Sequence, residues 1–138
     1  MRSVRKLLVV AGTIVALTVL APSVAAASQK SFYLDKTCSA DSSEPLGYVC
    51  TVQHSDFKWI PAGTKVHYLS QTGNVVQASI TIANGSTNGV CVWSSGVNAV
   101  CTFGPGTGRF SQFHLVVTVT ANEDASIWYW NGTYWFGG

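Results

Sequence analysis

The chain has 138 residues, the length of one ordinary domain, and only 10% are charged, against roughly 25% in soluble globular chains. Aromatic residues make up 12%, which is ample core material and excludes an intrinsically disordered protein. The formal net charge of +2 argues against a strongly basic nucleic-acid-binding protein, and the composition lacks the Glu, Lys and Leu richness of a coiled coil.

The first segment has the three parts of a secretory signal peptide. Three basic residues stand in the first six positions, an apolar run follows to Leu20, and three alanines at 25–27 offer a cleavage site. A transmembrane anchor is the alternative, but the run is shorter than the ~20 residues that a membrane-spanning helix needs. We therefore predict a signal peptide over residues 1–27, a single domain over 28–138, and a secreted protein with no membrane anchor after cleavage.

The predicted exported part loses the positive charge of the whole chain. It holds five basic and six acidic residues, a net charge of −1 at neutral pH. The basic character belongs to the signal peptide, so we predict no nucleic-acid partner and no anionic membrane partner.

The exported part predicts strands rather than helices. Short runs rich in β-branched and aromatic residues alternate with segments of Gly, Pro, Asn, Asp and Ser. Eight strands are predicted, over residues 32–36, 47–57, 63–70, 75–83, 89–93, 99–103, 110–120 and 126–136. The connections are too short for parallel crossovers, so we expect an all-β, eight-stranded antiparallel β-barrel, with a two-sheet β-sandwich as the alternative. A barrel of this size holds packed side chains or one small ligand.

All four cysteines lie in the predicted exported part, where an even count implies disulfides. Three pairings can be drawn. We favour Cys38–Cys50 and Cys91–Cys101, because each closes a short loop between neighbouring strands. A loop of this size contributes roughly 3 kcal/mol in the chain-entropy model.

The sequence carries no metal-site or hydrolase motif. It has no C-x-x-C, and its three histidines are scattered, so we predict no metal and no cofactor. A serine hydrolase is disfavoured because Gly-x-Ser-x-Gly is absent.

The last predicted strand is aromatic on both faces. Its residues 128–136 read Trp-Tyr-Trp-Asn-Gly-Thr-Tyr-Trp-Phe, and the central Asn-Gly is a strong hairpin signal, although a bulged single strand fits as well. We expect both faces to be covered, one by the barrel interior and the other by a subunit interface.

The C-terminal half resembles the allene oxide cyclase barrel-like group, which is related to the dirigent proteins. The resemblance is carried by Cys-Thr-Phe at 101–103, Gly-Pro-Gly-Thr-Gly-Arg-Phe at 104–110, the strand at 113–120 and Trp-Asn-Gly-Thr-Tyr at 130–134. Pro105 departs from the group's Gly-Gly-Thr-Gly turn. The resemblance covers residues 89–136 well and the front half only by strand count.

The resemblance implies an eight-stranded barrel with an apolar lumen, usually in a homodimer or homotrimer. The wider group includes plant cyclases that close a ring on an epoxide, dirigent proteins that hold radicals for stereoselective coupling, and bacterial spirotetronate and spirotetramate cyclases. Their common device is a shaped cavity that holds reacting ends together, which can supply about 7–11 kcal/mol at best.

Three functions are therefore considered. We expect a cofactor-independent cyclase or isomerase that acts on a hydrophobic, polyketide-like substrate. The alternative is an exported, non-catalytic protein that binds or sequesters a small hydrophobic ligand. The third is a structural or interaction protein whose own aromatic side chains fill the lumen.

Three side chains are candidates for catalysis: Tyr48, Tyr68 and His114. The phenols could polarise a substrate carbonyl, and the ordinary pKa of histidine, about 6.5, suits proton transfer. Each also suits a structural role, a hydrogen-bonded core tyrosine or a strand histidine bonded to its neighbour.

Six further side chains are candidates for substrate binding: Trp59, Trp93, Phe113, Trp128, Trp130 and Arg109. The aromatic ones could stack on a polyene or aromatic ligand, or simply fill the barrel. For Arg109 we prefer a structural ion pair with Glu123 or Asp124, and a contact to an acidic ligand group is the alternative.

Overall fold

Antiparallel strands form the fold of residues 28–137, the part of the chain that this computed structural model describes. The strands are β1 (Lys30–Ala40), β2 (Tyr48–Ser55), β3 (Lys65–Thr72), β4 (Val75–Ile82), β5 (Gly85–Trp93), β6 (Ala99–Phe103), β7 (Thr107–Gly108), β8 (Phe113–Ala121) and β9 (Trp128–Phe136). Within these residues, no helix is long and apolar enough to cross a membrane. The predicted signal peptide over residues 1–27 lies outside the described residues.

Eight of the strands close into a barrel. They pair in the order β4-β3-β2-β1-β9-β8-β6-β5, and β4 also pairs with β5 over the full length of β4. Each pairing is antiparallel. The predicted antiparallel barrel is confirmed, and the sandwich alternative is wrong because the β4–β5 pairing leaves no sheet edge open.

Two strands are longer than predicted, and one was not predicted. β1 extends well beyond 32–36, and β5 begins at Gly85 rather than at 89. Polar residues join β5 because β4 pairs with them one by one, from Ile82 opposite Gly85 onward. The extra two-residue β7 pairs with the start of β5. The other boundaries differ by three residues or fewer.

The Asn-Gly pair lies within a continuous strand, so the hairpin expectation for residues 128–136 is wrong. Gly132 faces Phe32 in β1 and Val117 in β8. These flanking strands occupy the backbone groups that a turn would use. A Cβ at Gly132 would collide with the carbonyl oxygen of Val116, so the close approach of β8 explains the glycine.

Both predicted disulfides are confirmed. Cys38–Cys50 joins directly opposite residues of β1 and β2, and Cys91–Cys101 does the same between β5 and β6. All four cysteines are therefore cross-linked, as is usual in an oxidising compartment.

One end of the lumen is filled by aromatic rings. Alternate residues of each strand point inward, and six rings pack together with centroid separations of 4.5–6.4 Å. We call them the aromatic cluster: Phe32, Phe57, Phe110, Phe113, Tyr134 and Phe136. The cluster lies where β2–β3 and β6–β8 are connected, and its rings pack the lumen at that end.

Candidate functional site

The opposite end of the barrel holds a cavity of about 450 Å³. Small-molecule sites span roughly 300–1,000 Å³, so the cavity is large enough for a compact ligand. Six strands and the β5–β6 loop contribute its lining residues: Lys36, Cys38, Tyr48, Cys50, Tyr68, Gln71, Val76, Trp93, Ser95, Gly96 and Trp128.

Lys36 is the central polar side chain of this cavity. Strand alternation places it on the same face of β1 as Phe32 and Leu34, and its side chain is 2% exposed. Its Nζ donates a 2.7 Å hydrogen bond to the Tyr68 Oη. It also lies 5.1 Å from the Trp130 ring centroid, a cation–π distance. Among residues 28–137, no carboxylate forms an ion pair with it.

Burial shifts the proton equilibria of this cavity in opposite directions. Removal from water disfavours the ammonium and lowers the pKa of Lys36 to about 7. Burial raises the pKa of Tyr68, with a contribution from neighbouring Tyr48, and burial also raises the pKa of Tyr48. At neutral pH the phenols therefore keep their protons, while a large fraction of the Lys36 amine is neutral.

The polar groups here offer more donors than acceptors. Tyr68 Oη accepts the Lys36 hydrogen bond, and no acceptor for the phenol proton of Tyr68 is seen in the described part of the chain. The nearby buried Trp130 Nε1 likewise has no partner among residues 28–137. Buried donors are normally satisfied, so this end of the lumen is complementary to an oxygen acceptor such as a carbonyl.

Two tryptophans form apolar walls at the rim. Trp93 ends β5 and Trp128 begins β9, and their half-buried rings pack edge to face with centroids 5.7 Å apart. On the opposite wall, the Tyr48 and Tyr68 rings lie 5.2 Å apart. An aromatic or polyene ligand could contact both walls at once.

Four of the sequence-predicted candidates thus meet in one cavity: Tyr48, Tyr68, Trp93 and Trp128. Trp130 lies beside it, fully buried against Phe103 and under Lys36.

His114 does not join them. It occupies the outward face of β8, half-buried, with its ring stacked on Trp135 at 5.1 Å. The inward residues on either side of it are Phe113 and Leu115. His114 therefore faces the outside of the barrel and does not line this cavity, and its catalytic role stays a prediction.

Phe113 and Trp59 lie at the opposite end from the cavity. Phe113 is fully buried in the aromatic cluster, and Trp59 packs on Phe136 with centroids 4.9 Å apart. Neither residue lines the cavity, so their assignment to a lumen ligand does not hold for this site.

Arg109 also lies at that opposite end, with its guanidinium 5.4 Å from the Trp59 ring centroid. The expected ion pair with Glu123 or Asp124 is not formed, because the nine residues of β8 separate them. Asp124 instead accepts hydrogen bonds from Ser126.

A second depression lies beside Arg109. It measures about 760 Å³ and is a shallow, open groove whose charged lining comes from Lys58, Lys65 and Arg109. Its basic side chains are exposed. We favour the smaller cavity as the functional site, because a buried polar pair, Lys36 and Tyr68, lines it.

Lys36 was missed as a site residue in the sequence, where lysine is ordinarily a solvated surface residue. The sequence does contain a signal for its burial, which is its position in the alternating pattern of the strand. Lys36 follows Phe32 and Leu34 at intervals of two, which places it on the apolar face of the predicted strand.

Comparison with known proteins finds no match to the chain among family models, curated proteins or solved structures. The resemblance to the allene oxide cyclase barrel-like group stays a prediction. Within residues 28–137, no group of three or more His, Cys, Asp or Glu side chains could hold a metal ion.

Proposed function

We propose that this protein is an exported binding protein for a small, mainly apolar molecule that carries an oxygen acceptor. The ligand would occupy the cavity at the open end of the barrel, with its apolar part between the aromatic walls. The observation that carries this proposal is the buried Lys36–Tyr68 pair in the wall of that cavity.

If the buried Lys36–Tyr68 pair had only a structural role, it would lower the stability of the barrel. Burying an amine without an anionic partner is unfavourable, and an apolar side chain of similar size would serve a purely structural barrel better. If a ligand oxygen accepts hydrogen bonds from Lys36 and Tyr68, these two buried groups have a role in binding.

Calorimetric titration with 2-naphthylmethanol, an apolar aromatic alcohol, tests the site. We expect saturable binding with one equivalent, and Trp93→Ala should weaken it roughly tenfold, or about 1.4 kcal/mol, through the lost wall contact. Trp135→Ala is the matched control, because Trp135 stacks on His114 outside the barrel. Equal effects of the two substitutions would contradict the proposed location.

A cofactor-independent cyclase or isomerase is the second candidate. One observation favours it: Lys36, Tyr68 and Tyr48 place a proton acceptor and two proton donors within one cavity. The resemblance to a group that contains cyclases supports the same candidate. Holding a flexible substrate folded against these groups could promote ring closure.

Turnover separates the two candidates. Trace protein, with both disulfides formed, is added to an extract of the producing culture, and products are compared by chromatography and mass spectrometry. An enzyme would be established if a compound is converted to an equal-mass isomer in large molar excess over the protein. This conversion should be absent with Lys36→Met and with heat-denatured protein. A compound retained unchanged at up to one equivalent would establish the binding protein.

A further inference from the structure

We propose that Lys36 binds carbonyl ligands covalently and reversibly, as an imine, inside the cavity. This inference rests on the proposed function and narrows its ligand class to aldehydes and unhindered ketones. The apolar part of the ligand would lie against Trp93 and Trp128, with its carbonyl carbon at the Lys36 amine.

The geometry supports a nucleophilic role for this amine. Lys36 and Tyr68 both line the cavity, so a bound carbonyl would meet the two groups together. No carboxylate pairs with Lys36 in the described part of the chain, so no ion pair holds the amine in its charged form. The lowered pKa of Lys36 agrees with this arrangement.

Tyr68 is placed to act as the acid for this reaction. Its oxygen accepts the Lys36 N–H at 2.7 Å, so its own phenol proton points elsewhere and is available to a ligand oxygen. Tyr68 is also buried and keeps its proton at neutral pH. It is the hydrogen-bond donor that polarises the carbonyl, and it positions Lys36 through the same oxygen.

The step balances without any oxidant or cofactor. The neutral amine attacks the carbonyl carbon, so that a C–N bond forms and the C=O π bond breaks. The carbonyl oxygen takes a proton from Tyr68, which regains one from the new ammonium nitrogen, and the product is a carbinolamine. That hydroxyl then leaves as water while the nitrogen loses its remaining N–H proton, and a C=N bond forms. Hydrolysis reverses the step and releases the ligand unchanged.

Reductive trapping tests the inference with 2-naphthaldehyde as the probe. The oxidised protein is incubated near pH 7 with the aldehyde and sodium cyanoborohydride, which reduces an imine to a stable secondary amine. A peptide map then gives the labelling of each lysine. Lys30, Lys58 and Lys65 are exposed internal references in the same molecule.

We expect Lys36 to be labelled at least about tenfold faster than each reference, because ordinary lysines are almost wholly protonated near pH 7. Tyr68→Phe should slow the labelling of Lys36 about tenfold at a saturating aldehyde concentration, where any weakening of ligand binding no longer limits the rate. Lys65→Met is the matched control and should leave Lys36 labelling unchanged.

Three results would overturn the inference in distinguishable ways. If 2-naphthylmethanol binds but labelling is uniform over the lysines, the imine is wrong and the proposed binding function stands. If the alcohol does not bind and Lys36 is not labelled, both are contradicted. A carboxylate probe, 2-naphthoate, that binds more tightly than the alcohol without trapping of the aldehyde would assign Lys36 to an ion pair instead.

Discussion

The buried amine of Lys36 destabilises the fold and is also the group that we propose contacts the ligand. Its amine lies inside a barrel whose other inward side chains are mainly apolar, and it donates a hydrogen bond to Tyr68. The titratable groups that face it from neighbouring strands are Tyr68 and Tyr48, both protonated at neutral pH. Because neither supplies a negative charge, the barrel disfavours the charged amine.

The pH dependence of stability should reveal this cost. The pKa of Lys36 is about 7 in the folded protein against 10.5 in the unfolded chain, so the unfolded chain binds more protons between these values. The free energy of unfolding therefore rises with pH over that window, and below it the full penalty, about 5 kcal/mol, applies. Lys36→Met should be more stable than the parent at about pH 6, with the advantage shrinking toward about pH 10.

Urea unfolding across this range measures both proteins, and groups common to the two cancel in the difference. Lys65→Met, at an exposed position, should follow the parent curve. Parallel curves for the parent and Lys36→Met would show that the buried amine does not titrate as described.

The Gly-Pro-Gly-Thr-Gly segment is a structural clamp at the scale of elements. β7 pairs with the start of β5, and the Arg109 N–H donates to the Asn84 oxygen at 2.9 Å. A Cβ at Gly106 or Gly108 would collide with backbone carbonyl oxygens of the β4–β5 connection and early β5. Gly108 also has a φ of +59°, which favours glycine. The segment thus ties the β6–β8 connection to the β4–β5 hairpin.

Substitutions within this segment should therefore differ sharply. Gly108→Ala should lower the free energy of unfolding by about 2–3 kcal/mol, through both the collision and the backbone strain. Gly104→Ala, in the same connection, meets open space and should change it by less than about 0.5 kcal/mol. Equal losses measured by urea unfolding would contradict the clamp.

Elements were predictable where sequence pattern and pairing agree. Alternation located the eight barrel strands and the opposed cysteines, because period-two patterning reports a half-buried strand directly. The Asn-Gly pair of β9 wrongly indicated a hairpin, because pairing with the strands on both sides overrides its local turn preference. His114 could not be placed from alternation alone, which separates two faces without telling which one is inside. The burial of Lys36 was not predicted, because lysine side chains are ordinarily exposed even when they follow apolar residues in a strand.

At the scale of the whole molecule, the barrel has two unequal ends. The aromatic cluster fills one end, so the lumen is partly the filled core that a structural protein would have. The other end keeps a cavity between Trp93, Trp128, Tyr48 and the Lys36–Tyr68 pair. Closure and two cross-strand disulfides hold this shape, which lets a small domain keep polar groups in its interior.

The two disulfides should contribute differently to stability and binding. Each closes a short loop, with separations of 12 and 10 residues, so each should contribute roughly 3 kcal/mol by chain entropy. Replacing Cys91–Cys101 with alanines should cost more, because both cysteines are buried in the lumen, whereas Cys38 is exposed. Only the Cys38–Cys50 replacement should weaken 2-naphthylmethanol binding, because only that pair lines the cavity. A larger loss of unfolding free energy for the Cys38–Cys50 replacement would contradict the first expectation. Weaker binding in calorimetry for the Cys91–Cys101 replacement alone would contradict the second.

The most direct test of the ligand site is a ¹H–¹⁵N correlation spectrum of the protein titrated with 2-naphthylmethanol. The five tryptophans give five indole N–H signals that sample both ends and the outside of the barrel. The site described here predicts that the Trp93 and Trp128 signals shift in a saturable way while those of Trp59 and Trp135 stay in place. Shifts centred on Trp59, beside the basic groove, or no shift at either cavity tryptophan would contradict it.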